Sequence, residues 1–318
     1  MSPESLRKLP ERPPSGSFHT CFSKHIGTTV PLNALTVDLE DWYHGLTRTM
    51  FKPQLWPSLP RRAEETTAQL LDILAEVGVR ATFFVLGDLA RQSPALIRRI
   101  AEDGHELSSH GFSHRRIHEL TPAEFRTELD EARQVIEQAS GAAVKGFRAP
   151  QFSIDHRCLW AFEVLAEAGY LYDSSVFPLK SYFYGYAGAS RHPYHPLPDS
   201  PLIEYPVATF RFGKLTFPVA GGVYNRLLPY PLIHWATQHI NREGFPAVLY
   251  LHPWELDLRQ PRIPVNPRER VTHFAGRTTL AKKLRRLCKE FEFAPLGAER
   301  FRNQPLLELL FRRRQTNQ

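Results

Sequence analysis

Residues 34–44 read ALTVDLEDWYH. The run begins with apolar and β-branched side chains and ends in three acids, Asp38, Glu40 and Asp41. A short strand that is apolar on both faces is the pattern of a parallel strand covered by helices. One that ends in acids points to chemistry at its carboxyl end, where the loops of α/β folds collect their functional groups. If the extended conformation persists, side chains alternate, so Asp38 and Glu40 share a face and Asp41 takes the other.

The chain after this strand keeps alternating. RRAEETTAQLLDILAEVG (61–78) has apolar residues at helical spacing and stops at Gly78. RATFFVLG (80–87) reads as a second buried strand, and SPALIRRIAEDG (93–104) as a helix with Pro94 at its start and Gly104 at its end. HELSSH (105–110) is a short strand. TPAEFRTELDEARQVIEQASG (121–141) is a long helix opened by the capping box Thr121 to Glu124. VKGFRAP and YLYDSS read as strands on either side of the helical DHRCLWAFEVLAEAG. An irregular stretch rich in Pro and aromatic residues follows, then the helix PLIHWATQHINREG and the strand PAVLYLHP. Strands alternating with helices of this length predict βαβ units and a parallel sheet, as an open sheet or a barrel. No GxGxxG follows the first strand and no GxxxxGK[ST] occurs, which removes the two common nucleotide-binding motifs.

The 318 residues carry 42% hydrophobic and 23% charged residues and a net charge of +7. These are the proportions of a globular chain. No run is long and apolar enough to span a bilayer, and residues 1–30, rich in Pro, Ser and charge, read as a flexible lead-in without a secretory signal. The expected location is therefore cytoplasmic. Cys21, Cys158 and Cys288 form no CxxC pair and read as isolated thiols. The positive charge matches no nucleic-acid-binding motif, so no nucleic-acid partner is expected. Contact with anionic headgroups at the inner membrane surface remains open to a basic chain.

The chemistry gathers at strand ends. His110 and His114, in LSSHGFSH, offer two imidazoles from one turn; fourteen histidines make such a pair weak evidence alone. With acids at a neighbouring strand end they suit a divalent metal, which needs a carboxylate as third ligand and open positions for water and substrate. A hydrolytic site also needs a second carboxylate to take a proton. Arg148, before the proline-fixed turn at Pro150, could hold that carboxylate through a bidentate bond. The backbone N–H of Gln151 is placed to stabilise an oxyanion. His252, after the last strand, could protonate a leaving amine. Leu251, Trp254 and Phe152 could form a pocket for a methyl group or a sugar face.

Taken in order, TVDLED, HGFSH, RAP, DSS and YLH resemble the motif set of the polysaccharide deacetylases of the NodB-homology type, carbohydrate esterase family 4. The resemblance covers residues 33–256. The later HFAGRTTLAKKLRRLCKEFEFAPL is similar to a C-terminal extension in a subgroup associated with bacterial exopolysaccharide loci. The resemblance implies an α/β fold, a distorted (β/α) barrel of about seven parallel strands. It also implies Asp38 as general base, Glu40 or Asp41 as metal ligand with His110 and His114, Arg148 as the group orienting the base, Gln151 N–H at the oxyanion, His252 as general acid and Asp173 supporting His252. Pro150, Leu251 and Trp254 would line the substrate site, and zinc is the expected metal. Three positions depart from the family pattern: D-L-E-D replaces adjacent aspartates, Gly111 stands for Ser or Thr, and Tyr250 stands where Leu is usual.

The implied domains are the lead-in 1–30, a catalytic domain 31–256, and a basic, helical C-terminal extension 257–318 packed on the barrel. The implied activity is metal-dependent N-deacetylation of N-acetylhexosamine units in an exopolysaccharide or its lipid-linked precursor, with a carbohydrate as the partner. A cyclic amidase of the allantoinase type on the same fold, and a glycan-binding protein with a degenerate site, are the competing readings.

Overall fold

A computed structural model describes residues 31–46, 53–179, 185–213, 215–219 and 221–306. The lead-in, Cys21 and the basic end of the C-terminal tail lie outside the described residues. From residue 31 on, the chain forms one compact unit.

Nine strands are present among the described residues: β1 (Ala34–Leu39), β2 (Thr82–Val85), β3 (Glu106–Ser109), β4 (Gly146–Phe147), β5 (Tyr172–Asp173), β6 (Ile203–Glu204), β7 (Thr209–Phe212), β8 (Leu215–Pro218) and β9 (Val248–Leu251). Seven of them make one parallel sheet in the order β6-β5-β4-β3-β2-β1-β9, the arc of a distorted (β/α) barrel. Helices α1 (Ala63–Val77), α2 (Gly87–Gln92), α3 (Pro94–Glu102), α4 (Pro122–Ser140), α5 (Ala161–Glu167), α6 (Gly222–Leu227) and α7 (Tyr230–Arg242) lie along the chain between the strands. The short α8 (Pro267–Glu269), α9 (Arg277–Glu290) and α10 (Glu299–Arg302) follow β9.

The expected helix ends form as their residues dictate. Thr121 and Glu124 make both bonds of the capping box at α4, and Gly78 ends α1 in the left-handed conformation at φ 67°. The irregular stretch differs from its sequence reading. It contains the two-residue strand β6 and the antiparallel hairpin β7–β8, paired from Thr209–Pro218 to Phe212–Leu215. A two-residue strand leaves no periodicity to read.

Alternation along β1 divides the molecule. Leu35, Val37 and Leu39 pack outward among the helices in the main core, whereas Ala34 faces inward with Phe84, Tyr172, Tyr205 and Val248. Leu296 and Phe301 of the C-terminal segment complete that inner cluster. They are held in place by Leu296 N–H donating to Thr82 Oγ1 (2.8 Å) and Gly297 N–H donating to Glu106 Oε2 (2.9 Å). Each large apolar side chain buried here contributes about 1.5–3 kcal/mol. One end of the interior is thus sealed largely with rings and aliphatic groups tied down by Thr82 and Glu106, and the buried Asp38, Glu40, His110 and His114 lie toward the other.

Candidate active site

Three buried side chains converge just past the ends of β1 and β3. Glu40, His110 and His114 place one potential ligand atom each within 4.8 Å of one another. Glu40 Oε2 lies 2.6 Å from His114 Nε2 and 4.0 Å from His110 Nε2. His110 and His114 are not one helical turn apart. Gly111 at φ 74° and His114 at φ 61° fold HGFSH back on itself. Glu128 of α4 clasps the fold: its carboxylate accepts the backbone N–H groups of Phe112 and Ser113 and the Ser113 hydroxyl.

The donor set fits a divalent cation. His110 Nδ1 is 2.9 Å from the Arg148 carbonyl and donates its proton there, which leaves the Nε2 lone pair turned toward Glu40. Burial holds the His110 pKa down to about 4, so the ring is a neutral ligand at physiological pH. Glu40 stays an anion: burial would raise its pKa, but His114 beside it drives it well below the usual carboxylate range. Its other oxygen, Oε1, accepts from Trp254 Nε1 at 3.3 Å. One carboxylate and two imidazoles are a common first set for a catalytic zinc.

Asp41 does not join this cluster. Its carboxylate accepts the N–H groups of Trp42 (2.9 Å), Arg62 (2.9 Å) and Ala63 (3.2 Å), satisfying orphan donors at the start of α1. The alternation that carries Glu40 inward with Asp38 carries Asp41 away.

Asp38 lies beside the cluster, fixed by Arg148. The guanidinium, 0% exposed, donates from Nη1 to Asp38 Oδ1 (2.7 Å) and Thr36 Oγ1 (2.8 Å). From Nε and Nη2 it donates to the Ser174 carbonyl (3.0 Å) and Ser174 Oγ (2.7 Å). The bond to Asp38 is single rather than bidentate, because the rest of the fork is committed to Ser174. Just beyond, Pro150 starts a tight turn in which Gln151 and Phe152 adopt φ 55° and φ 49°. Two consecutive non-glycine residues in the left-handed region mark a backbone held in place by its surroundings, as functional sites often require.

His252 faces both carboxylates. Its Nε2 is 3.5 Å from Glu40 Oε1 and 3.9 Å from Asp38 Oδ2, and its Nδ1 bonds Glu255 Oε1 at 2.6 Å. Burial alone would depress the His252 pKa, but the Glu255 bond and the negative charges of Glu40 and Glu255 raise it to about 9. Glu255 is itself fully buried, and Arg226 Nε holds its Oε2 at 3.0 Å. The remaining Arg226 nitrogens donate to the carbonyls of Thr272, His273 and Ala275. Trp254 stacks on His252 with centroids 4.9 Å apart and on His273 at 4.5 Å.

Two further expectations are corrected here. Asp173 does not support His252. It sits fully buried beside Ser175, whose Oγ donates to Oδ1 at 2.5 Å, and beside the buried carboxyl of Glu204, which feels its charge. Burial raises the pKa of Asp173, and burial plus the Asp173 charge raises that of Glu204 well above the usual range. Glu255, three residues after His252, occupies the role expected of Asp173. Leu251 likewise lies outside the site. Val37 pairs with Leu251 and Thr36 with Tyr250, so Leu251 packs outward in the main core and Tyr250 points inward. The Tyr250 ring centroid is 4.9 Å from Phe152 and 5.7 Å from His252.

His44 was legible as a residue but not as a member of the site. Its Nδ1 accepts the Asp41 N–H at 2.9 Å, and its ring lies 5.1 Å from His114. Burial pushes its pKa down to about 3. Its place in DWYH, at the end of a strand rich in acids, was the available signal.

Residues 56–172 match the family model described as polysaccharide deacetylase, and residues 174–298 match one described as a domain of unknown function, DUF3473. The chain thus carries a polysaccharide deacetylase domain followed by a DUF3473 segment. The two matches divide one sheet between them: His110, His114 and Arg148 fall in the first, Arg226, His252 and Glu255 in the second, and Asp38 and Glu40 precede both. Because β9 pairs with β1, the segment of unknown function supplies the wall of this deacetylase-family site that carries His252. A peptidoglycan-N-acetylglucosamine deacetylase of Bacillus cereus is 33% identical over 100 residues, covering 31% of this chain and 36% of that protein. A chitin deacetylase of Colletotrichum lindemuthianum is 38% identical over 97 residues, covering 29% and 39%. The chain thus spans little more than a third of these curated relatives. A solved candidate polysaccharide deacetylase from Mycobacterium smegmatis superposes with a TM-score of 0.55 at 22% identity, over 84% of this chain and 87% of that one, which shows a shared fold.

Proposed function

We propose that the chain is a metal-dependent N-deacetylase acting on N-acetylhexosamine units of a bacterial exopolysaccharide or its lipid-linked precursor. The observation that carries this reading is the placement of two proton-handling groups, Asp38 and His252, beside a buried Glu40–His110–His114 set, each held by its own partner. Glu40, His110 and His114 would hold the metal, with zinc favoured by the donor set. Bound there, the metal would polarise the acetyl carbonyl and make water a stronger acid.

The side chains divide the rest of the work. Asp38, oriented by Arg148, takes the proton from the attacking water. The Gln151 N–H, in its left-handed turn after Pro150, helps hold the oxyanion as charge develops on the carbonyl oxygen. His252, kept protonated by Glu255, gives its proton to the departing amine, so acetate and a free amino sugar result. Tyr250, Phe152 and Trp254 wall the side from which the acetyl group enters. The resemblance of the later segment to exopolysaccharide-associated proteins supports the substrate class, and a cytoplasmic enzyme would meet such a substrate as a precursor at the inner leaflet.

The test is acetate release from a panel of N-acetylated oligosaccharides. Asp38→Asn is expected to lower kcat by about 10²–10⁴-fold with the fold intact. Undiminished acetate release by that variant, or none from wild-type protein loaded with zinc, would remove the reading.

A further inference from the structure

The β7–β8 hairpin presents large apolar side chains to solvent. Phe212 is 69% exposed, Leu215 63% and Phe217 44%. The register places Phe210 opposite Phe217 and Phe212 opposite Leu215, so all four lie on one face of the ribbon, with Arg211 and Thr216 on the other. Phe210 anchors the base: it is 5% exposed and its ring centroid is 4.5 Å from that of Trp235 on α7. The apolar face then continues onto α7, where Trp235 and Leu232 are each 39% exposed. Scattered apolar residues at a surface mean little, but a contiguous set on a projecting hairpin marks an interaction site.

Charge identifies the partner. Positions 205–242, which include the hairpin, α6 and α7, contain no Asp or Glu, while Arg211, Lys214 and Arg242 are cationic. The hairpin sequence RFGKLTF (211–217) interleaves cations with the apolar side chains. An apolar tip flanked by basic residues, with a tryptophan at its margin, is the composition that inserts shallowly into an anionic bilayer. A second copy of a chain with net charge +7 would meet like charge across the same face.

We propose that this hairpin and the exposed face of α7 dock on an anionic phospholipid bilayer. After β8 the chain returns directly to the site. A Cβ at Gly221 would fall 1.9 Å from the Tyr250 ring, and one at Gly222 would lie 4.0 Å from Glu255 Oε1. The hairpin and the Tyr250 side of the site are therefore joined by a short stretch of chain; that docking serves a lipid-linked glycan rests on the proposed deacetylase activity, whereas the docking itself does not.

The experiment is co-sedimentation of the full chain with vesicles of phosphatidylcholine and of phosphatidylcholine mixed with phosphatidylglycerol, read without any assay of acetate release. The wild-type chain should pellet with the mixed vesicles and do so less at raised salt. Combining Phe212→Ser with Leu215→Ser should weaken pelleting by about tenfold or more while leaving the circular dichroism spectrum and Tm unchanged. Equal pelleting with both lipids, or equal pelleting of variant and wild type, would overturn the proposal. So would a dimer in analytical ultracentrifugation that the double variant dissociates, since a second copy would then be the occupant.

Discussion

Glu40 meets His114 Nε2 at 2.6 Å and Glu255 meets His252 Nδ1 at 2.6 Å, yet only the second pair is balanced by arginine. Arg226 bonds Glu255 directly, and Arg277 adds a second cation close enough to lower its pKa. Glu255 can therefore stay charged in a fully buried place and still leave His252 protonated. Glu40 has no arginine bonded to it among the described residues. Around it stand imidazoles, two of which burial keeps neutral, His44 with a pKa of about 3 and His110 of about 4. The nearest cationic ring, His252 at 3.5 Å, is engaged by Glu255, and a metal ion bound between Glu40 and the neutral rings would place positive charge on the carboxylate directly. In the proposed mechanism the same pairing of residue types would serve as a cation-binding pocket in one place and a proton donor in the other, with the arginines marking the second.

Four changes break or sharpen this contrast. The largest effect is expected for Glu40→Gln, which would remove the carboxylate of the proposed ligand set. Bound metal measured by atomic absorption should fall to background, and kcat by at least about 10³-fold, a loss of about 4 kcal/mol of transition-state stabilisation. Glu255→Gln should leave the metal in place but cost about 10–100-fold in kcat, with KM nearly unchanged, because Glu255 acts on His252 and Arg226 and lies outside the proposed ligand set. Metal content that drops as much in Glu255→Gln as in Glu40→Gln would erase the distinction.

Arg226→Leu tests the balance itself. It strands Glu255 without its partner and leaves three carbonyls without their donor. A destabilisation of about 3–5 kcal/mol is expected in urea unfolding. The smallest effect concerns a carboxyl pair that solves burial without any cation. Burial raises the folded pKa values of both Asp173 and Glu204. A raised carboxyl pKa gives stability that is full below the unfolded value of about 4 and is lost as pH rises through the folded value. Wild-type Tm should therefore decline from about pH 5 toward alkaline pH, and Glu204→Gln should flatten that slope. An identical slope in the variant would show that Glu204 does not contribute to it.

Much of the site could be read from short-range pattern. Alternation along ALTVDLED assigns Asp38 and Glu40 to one face, and that is where they lie. The glycine in HGFSH permits the turn that returns His114 toward His110. The same rule, applied to VLYL, puts Tyr250 and His252 on the inner face and Leu251 outside; assigning Leu251 to the pocket overlooked it. Other features had no local signal. Glu128 clasps the histidine turn from a helix surface where a glutamate is ordinary, and β6 is too short to show a period.

Local pattern in the chain was enough for the parallel α/β plan, for the strand ends where polar chemistry collects, and for Asp38, His110, His114, Arg148 and His252 as candidates that the fold brings together. These follow from periodicities of two and 3.6 residues and from side-chain chemistry, both carried by neighbours in the chain. Which carboxylate meets which partner is settled by the packing: Glu40 beside the imidazoles, Asp41 on the start of α1, Asp173 beside Glu204, and Glu255 between His252 and Arg226. Those choices depend on β1 lying between β2 and β9 and on the later helices folding over Arg226. A carboxylate's pKa and role are set by the charges within a few ångströms of it, and here they arrive from positions far away in the chain.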